Sequence, residues 1–114
     1  MHELSIVASL FDVLNEKAKE QNAKRITKVK LKVGMLSGVV PELLESAFEI
    51  YKKGTIASEA RLEIEKTSVK VKCKKCGVEF SPEDWTMICP SCGSIEIKIL
   101  SGDELLLEKM ELEL

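Results

Sequence analysis

All four cysteines of this 114-residue chain fall in one constellation, Cys73-Lys-Lys-Cys76-Gly77 and Cys89-Pro-Ser-Cys92-Gly93, with the twelve residues Gly77 to Ile88 between the two pairs. Each CxxC turn brings two thiolates to one side, and the glycine after it accepts the left-handed backbone that closes the turn. Two such pairs offer four sulfurs to a tetrahedral ion, the ligand pattern of a zinc ribbon. A site closed by four thiolates has no open coordination position, so its role is structural rather than catalytic. Rival chemistries use the same residues. Disulfides suit an oxidising compartment, whereas a thioredoxin-like CxxC works as one redox pair and needs no second copy. Iron in a rubredoxin-like site shares the knuckle sequence, and spacing alone does not separate it from zinc. The stretch between the pairs is too small to hold itself together on Phe80, Trp85 and Ile88. Metal binding on the order of 10 kcal/mol would supply most of its folding energy.

The second constellation is Met1-His2-Glu3, which contains the only histidine. A chain start needs no special reason to read this way, since Glu3 already favours a helix N-terminus through the dipole. The position nonetheless has specific coordination chemistry. The terminal amine of Met1, the deprotonated amide nitrogen of His2 and its imidazole Nδ1 can chelate one metal through fused five- and six-membered rings. Planar nitrogen donors of this kind suit Ni(II) or Cu(II) better than Zn(II). Glu3 can add its carboxylate or amide nitrogen, because the first N–H groups of a helix have no intrahelical partner to lose. With His2 as the sole imidazole, Ser-His-Asp and Cys-His catalysis are poor candidates.

The elements that must position these residues follow from periodicity. Residues 4–21 place Leu4, Val7, Ala8, Phe11, Leu14 and Ala18 at 3/4 spacing, which predicts an amphipathic helix stopping near Asn22. Residues 26–33 alternate, with Val29, Leu31 and Val33 on one face and Lys28, Lys30 and Lys32 on the other, which is read as a solvated strand face. After a loop at 34–41, residues 42–53 predict a second helix with Leu43, Leu44, Ala47, Phe48 and Tyr51 on one side. Ala60, Leu62 and Ile64 alternate again, Val69 and Val71 continue after a polar break, and Ile95, Ile97 and Ile99 follow the cysteines. Residues 104–114 predict a last strand with an irregularity near Lys109.

The expected fold is therefore α+β: two helices on a small three-stranded sheet, residues 1–66 completed by a strand at 103–114, with a zinc ribbon of rubredoxin-like knuckles inserted at 67–102. The strand order is not set by this reading. Seventeen basic and nineteen acidic residues give net −2, so nothing global draws the chain to nucleic acid or anionic lipid. No apolar run exceeds three residues, and no basic lead or apolar h-region opens the chain, which predicts a cytoplasmic, non-membrane protein. Fifteen Lys, sixteen Glu and only three Asn plus Gln lean towards a thermophile's composition.

At these residues the chain resembles a known family. Met1-His2-Glu3-Leu4-Ser5, the segment Gly34 to Glu49, the paired knuckles with Cys89-Pro90-Ser91-Cys92, and Ser101-Gly102-Asp103-Glu104-Leu105 are similar, in order and spacing, to the HypA/HybF nickel metallochaperones of [NiFe]-hydrogenase maturation. The resemblance implies that His2 binds nickel, that Glu3 supports or tunes that site, and that Cys73, Cys76, Cys89 and Cys92 hold zinc. It also implies a HypB-type GTPase partner and delivery to the hydrogenase large subunit. No NTP-binding motif occurs here, so such a GTPase would be another polypeptide. The reading is a non-enzymatic nickel-binding accessory protein with a shallow, exposed Ni(II) site at Met1, His2 and Glu3. The rival reading is a zinc-ribbon nucleic-acid-binding or transcription accessory module using Lys66, Lys70, Lys72, Lys74 and Lys75, although the ribbon has no Arg and few aromatics for base readout.

Overall fold

The computed structural model describes residues 3–82 and 86–114; Met1, His2 and Trp85 lie outside the described residues. The elements run α1 (Glu3–Glu20), β1 (Arg25–Gly34), α2 (Pro41–Tyr51), β2 (Arg61–Thr67), β3 (Lys70–Cys73), β4 (Glu79–Phe80), β5 (Ile97–Ser101) and β6 (Leu105–Glu113). The fold is α+β, with two three-stranded sheets ordered β2-β1-β6 and β4-β3-β5. The chain divides into one unit of residues 1–32, 39–65 and 106–114 and another of residues 33–38 and 66–105.

In the first unit, α1 buries Val7, Phe11, Leu14 and Ala18 of the stripe expected from the 3/4 spacing, while Ala8 is half-buried and Leu4, in the first turn, is 58% exposed. It ends in a Schellman motif: Ala23 N–H donates to Ala18 O, Asn22 N–H donates to Lys19 O, and Asn22 takes the left-handed conformation at φ 53°. The second helix starts at Pro41, whose missing N–H would have had no intrahelical partner, and buries Leu44, Ala47 and Phe48. The Phe11 ring meets Phe48 at 5.4 Å and Tyr51 at 4.9 Å between centroids, which joins the two helices. Ile26, Val29 and Leu31 of β1 add the sheet's contribution to this core. Each large side chain so buried contributes about 1.5–3 kcal/mol. Leu43, read as part of the apolar side of α2, is 53% exposed instead.

The lysine face of β1 is not simply solvated. Lys28 pairs with Glu63 (2.9 Å) and Glu111 (3.9 Å), Lys30 with Glu65 (3.3 Å) and Glu108 (3.5 Å), and Lys32 with Glu108 (3.6 Å). Being the central strand, β1 presents Lys28 and Lys30 to glutamates on both neighbours and Lys32 to Glu108 on β6. The Glu65 carboxylate, followed by the charge of Glu108, raises the Lys30 pKa. The Lys28 ammonium, hydrogen-bonded to Glu63, lowers that carboxyl's pKa. The partners also reveal strand direction. Numbers rise together from Lys28–Glu63 to Lys30–Glu65, the order of a parallel β1–β2 pair with α2 in its crossover. Those to β6 run oppositely, from Lys28–Glu111 to Lys30–Glu108, as in an antiparallel pair. In β6, Leu107, Met110 and Leu112 are half-buried, and the three-residue step from 107 to 110 is the irregularity expected near Lys109.

In the second unit, β3 pairs antiparallel with β4 and with β5. Val71 and Cys73 are buried on β3. The isoleucine alternation forms a strand only from Ile97 onward, and it does not make a buried face: Ile95 is 76% and Ile99 45% exposed. At the base of this unit the chain laces itself together. Gly34 N–H donates to Glu104 O (2.7 Å), Leu36 N–H to Gly102 O (2.6 Å), and Met35 N–H to Thr67 O (3.2 Å). The Glu104 carboxylate accepts from Thr67 Oγ1 and Gly102 N–H, both at 2.8 Å.

Candidate metal centres

The two knuckles are built alike. Gly77 N–H donates to Cys73 O (3.0 Å) and Gly93 N–H to Cys89 O (2.9 Å), while Cys73 N–H reaches Val78 O and Cys89 N–H reaches Ser94 O. Gly77 and Gly93 sit at φ 80° and 77°, the left-handed region that the sequence pattern anticipated. These turns bring all four ligand atoms within 4.8 Å of one another. The first sulfur of each knuckle lies against the second of the other: Cys73 Sγ to Cys92 Sγ is 3.6 Å and Cys76 Sγ to Cys89 Sγ is 3.5 Å. A tetrahedron with metal–sulfur bonds of about 2.3 Å has edges of roughly 3.8 Å, whereas a disulfide needs about 2.05 Å. All four cysteines are free. The geometry is that of a tetrathiolate cage.

Electrostatics point the same way. The Cys76 backbone N–H draws the Cys73 thiol down to about 6, aided by the Lys75 N–H and opposed by burial. At Cys89, burial opposes ionisation but the N–H groups of Cys92 and Ser91 outweigh it. At Cys92 the Ser94 N–H favours the thiolate, yet the neighbouring thiols of Cys73, Cys89 and Cys76, together with burial, push it up to about 12. Four sulfurs this close cannot all carry charge unaided, and a divalent cation among them removes the conflict. Among the described residues of 67–102, little apolar burial supports the module. Val69 and Val71 are its buried aliphatics, worth about 3–6 kcal/mol together, while Ile88 is 49% exposed.

Lys72, Lys74, Lys75 and Lys98 line an open cleft with Cys73, Cys76 and Gly77. Four thiolates around a dication carry net −2, so these ammonium groups offset the charge of the cage. That is a sufficient reason for the lysine cluster without nucleic acid.

Of the N-terminal triplet, Glu3 is the described member, and it opens α1. Its Oε2 accepts from Val40 N–H at 3.5 Å. Val40 is the N-cap of α2 and has no capping side chain of its own. Glu3 thus does from another helix what the glutamate of a capping box does from the third helical position. This link was not legible in the sequence, because residues 3 and 40 belong to no common local motif. The lacing of Gly34, Gly102 and Glu104 was also missed. Its available signals were Gly34 at the end of β1 and Gly102 at the end of the inserted module.

Comparison with known proteins agrees with this architecture. The family model described as "Hydrogenase/urease nickel incorporation, metallochaperone, hypA" matches residues 1–112. The hydrogenase maturation factor HypA of Aquifex aeolicus is 48% identical over 113 residues, covering 99% of this chain and 98% of its own. That of Chlorobium luteolum is 39% identical over 110 residues, covering 96% and 94%. The solution structure of the Ni metallochaperone HypA from Helicobacter pylori superimposes with TM-score 0.71 at 32% identity, covering 99% of this chain and 98% of that one. With its cage, its α+β frame and a match running from the first residue to the last strand, the chain belongs to the HypA family of nickel-incorporation metallochaperones.

Proposed function

We propose that this protein carries Ni(II) for hydrogenase maturation on Met1, His2 and Glu3, and that Cys73, Cys76, Cys89 and Cys92 hold a structural Zn(II). The observation that carries the reading is the family match beginning at residue 1, on the triplet whose donors suit nickel. The terminal amine of Met1 and the amide and imidazole nitrogens of His2 form the chelate. The Glu3 carboxylate, resting on the Val40 amide, holds the first turn of α1 in place and supplies a nearby oxygen. A short chelate of this kind exchanges its metal readily, which suits transfer to a partner rather than retention. Zinc in the cage fixes both knuckles and takes no part in the transfer. A HypB-type GTPase and the hydrogenase large subunit are the proposed partners, the cytoplasm is the proposed compartment, and the role is carriage without catalysis.

The test is nickel titration of the zinc-loaded protein. His2→Ala abolishes tight nickel binding and leaves zinc content unchanged, while Glu3→Gln weakens nickel binding less. A residue added before Met1 turns the amine into an amide and breaks the chelate although His2 and Glu3 remain. Wild-type nickel affinity in His2→Ala, or the same affinity and spectrum with the extension, refutes the assignment.

A further inference from the structure

On the ribbon sheet, lysines lack the glutamates that pair with them elsewhere in the chain. In the β2-β1-β6 sheet, Lys28, Lys30 and Lys32 each meet a glutamate on a neighbouring strand. In the β4-β3-β5 sheet, Lys72 instead stands directly opposite Lys98 in the β3–β5 register. Like charges so placed are destabilising. Lys74 and Lys75 follow in the first knuckle, and all four residues are exposed around one open cleft of about 430 Å³. Glu79, opposite Lys72 on β4, pairs with Lys70 at 3.4 Å. Among the described residues, none of the four cleft ammonium groups has an ion-pair partner.

The filled cage accounts for part of this arrangement. Its net −2 stands against four lysines, so an excess of about two positive charges remains at the cleft. That excess calls for anions from outside the chain, and an extended acidic peptide is the form that fits. Carboxylates at its alternate residues repeat every ~6.6–6.8 Å, the repeat of side chains along one face of β3. Nucleic acid fits less well. The described lining of the cleft holds no arginine for bidentate contacts and no aromatic ring for stacking. A long polyanion would also meet the rest of a chain whose net charge is −2. A short segment senses only the charges within about 8 Å at physiological salt.

We infer that the cleft of Lys72, Lys74, Lys75 and Lys98 docks an acidic, extended segment of a partner protein. The nickel triplet takes no part in this contact, so the two assignments stand or fall separately. Exposed ion pairs at the favourable end of their range give a short peptide a Kd of about 10⁻³ M at low salt. The probe is an alternating Glu-Gly decapeptide, titrated to about 5 mM into the full, zinc-loaded, isotope-labelled chain and followed by NMR. Amide shifts concentrate at Lys72, Lys74, Lys75 and Lys98 and vanish at about 0.5 M salt. An alternating Gln-Gly decapeptide produces none. Lys72→Glu and Lys98→Glu each weaken binding at least about fivefold. Each also leaves the zinc-loaded chain as stable as wild type or more so, because it turns the like-charge pair into an opposite one. Lysines kept only for the fold would not separate those two readouts. Lys75→Glu, in the knuckle turn, weakens binding without touching that pair. Lys53→Glu, the same charge change on an exposed residue of the other unit, leaves binding unchanged. Zinc content stays that of wild type in every variant, since the altered side chains are not ligands. No shift at the four lysines up to the highest peptide concentration overturns the proposal. So does an equal response to the Gln-Gly peptide, binding indifferent to the three cleft reversals, or a thymidine decanucleotide that binds as tightly as the acidic peptide.

Discussion

Replacing Gly34 by alanine probes the place where the inserted module is tied together. A Cβ built on Gly34 would overlap the carbonyl of Gly102 and stand 2.7 Å from Asp103 N. The obstacle is backbone on both counts, so no side-chain rotation relieves it. The two segments must separate, which weakens the Gly34–Glu104 and Leu36–Gly102 hydrogen bonds of 2.7 and 2.6 Å. Their loss costs about 1–3 kcal/mol together, and the overpacking that remains adds about 1–3 kcal/mol. Alanine stiffens the unfolded chain and returns about 0.4–1 kcal/mol. The expected net destabilisation is about 2–4 kcal/mol. Gly54→Ala is the control: Gly54 has φ +76° and nothing within 4 Å of its Cβ, so it pays only the left-handed penalty of about 1–2 kcal/mol. Equilibrium unfolding of the zinc-loaded proteins in guanidinium chloride, followed by circular dichroism, reads both. If Gly34→Ala is no less stable than Gly54→Ala, the close approach is not a constraint and the reasoning fails.

Two further outcomes are expected. Cys76→Ser or Cys92→Ser replaces a thiolate in a site with no spare ligand, so zinc is lost and amide exchange quickens across residues 67–102 while α1 and α2 stay protected; unchanged zinc content refutes the ligand assignment. The ion-pair ladder contributes to both limbs of the pH–stability profile. The Lys28 hydrogen bond holds Glu63 below its unfolded value, so its contribution is present above pH ~4.3 and is lost as pH falls through the folded pKa. Lys30 is raised by Glu65 and Glu108, so its contribution is present below pH ~10.4 and is lost as pH rises through the folded pKa. Glu63→Gln should therefore destabilise at neutral pH and match wild type in acid, with the difference shrinking in 1 M salt; a difference that is constant with pH counts against the pairing.

The cage was legible from the chain because its geometry is local. Two CxxCG turns each set two sulfurs within five residues, and a tetrahedral ion asks only that the turns meet. Both helices were legible for a similar reason: a 3.6-residue period of apolar side chains needs no knowledge of its partner, and Asn22 and Pro41 mark their stop and start in residue chemistry. What tertiary structure decided is what depends on neighbours far along the chain. Lys28, Lys30 and Lys32 read as a solvated face until β2 and β6 bring glutamates to both sides. Ile95, Ile97 and Ile99 have the period of a buried face, yet Ile95 precedes the strand and Ile97 and Ile99 lie on an edge strand, because alternation records which side a residue points to and not whether anything covers that side. Leu43 belongs to the apolar stripe of α2 and is still 53% exposed. Glu3 could be read as a helix starter or a metal donor from its type and position. Only folding puts the Val40 amide against its carboxylate and makes the first turn of one helix the cap of another.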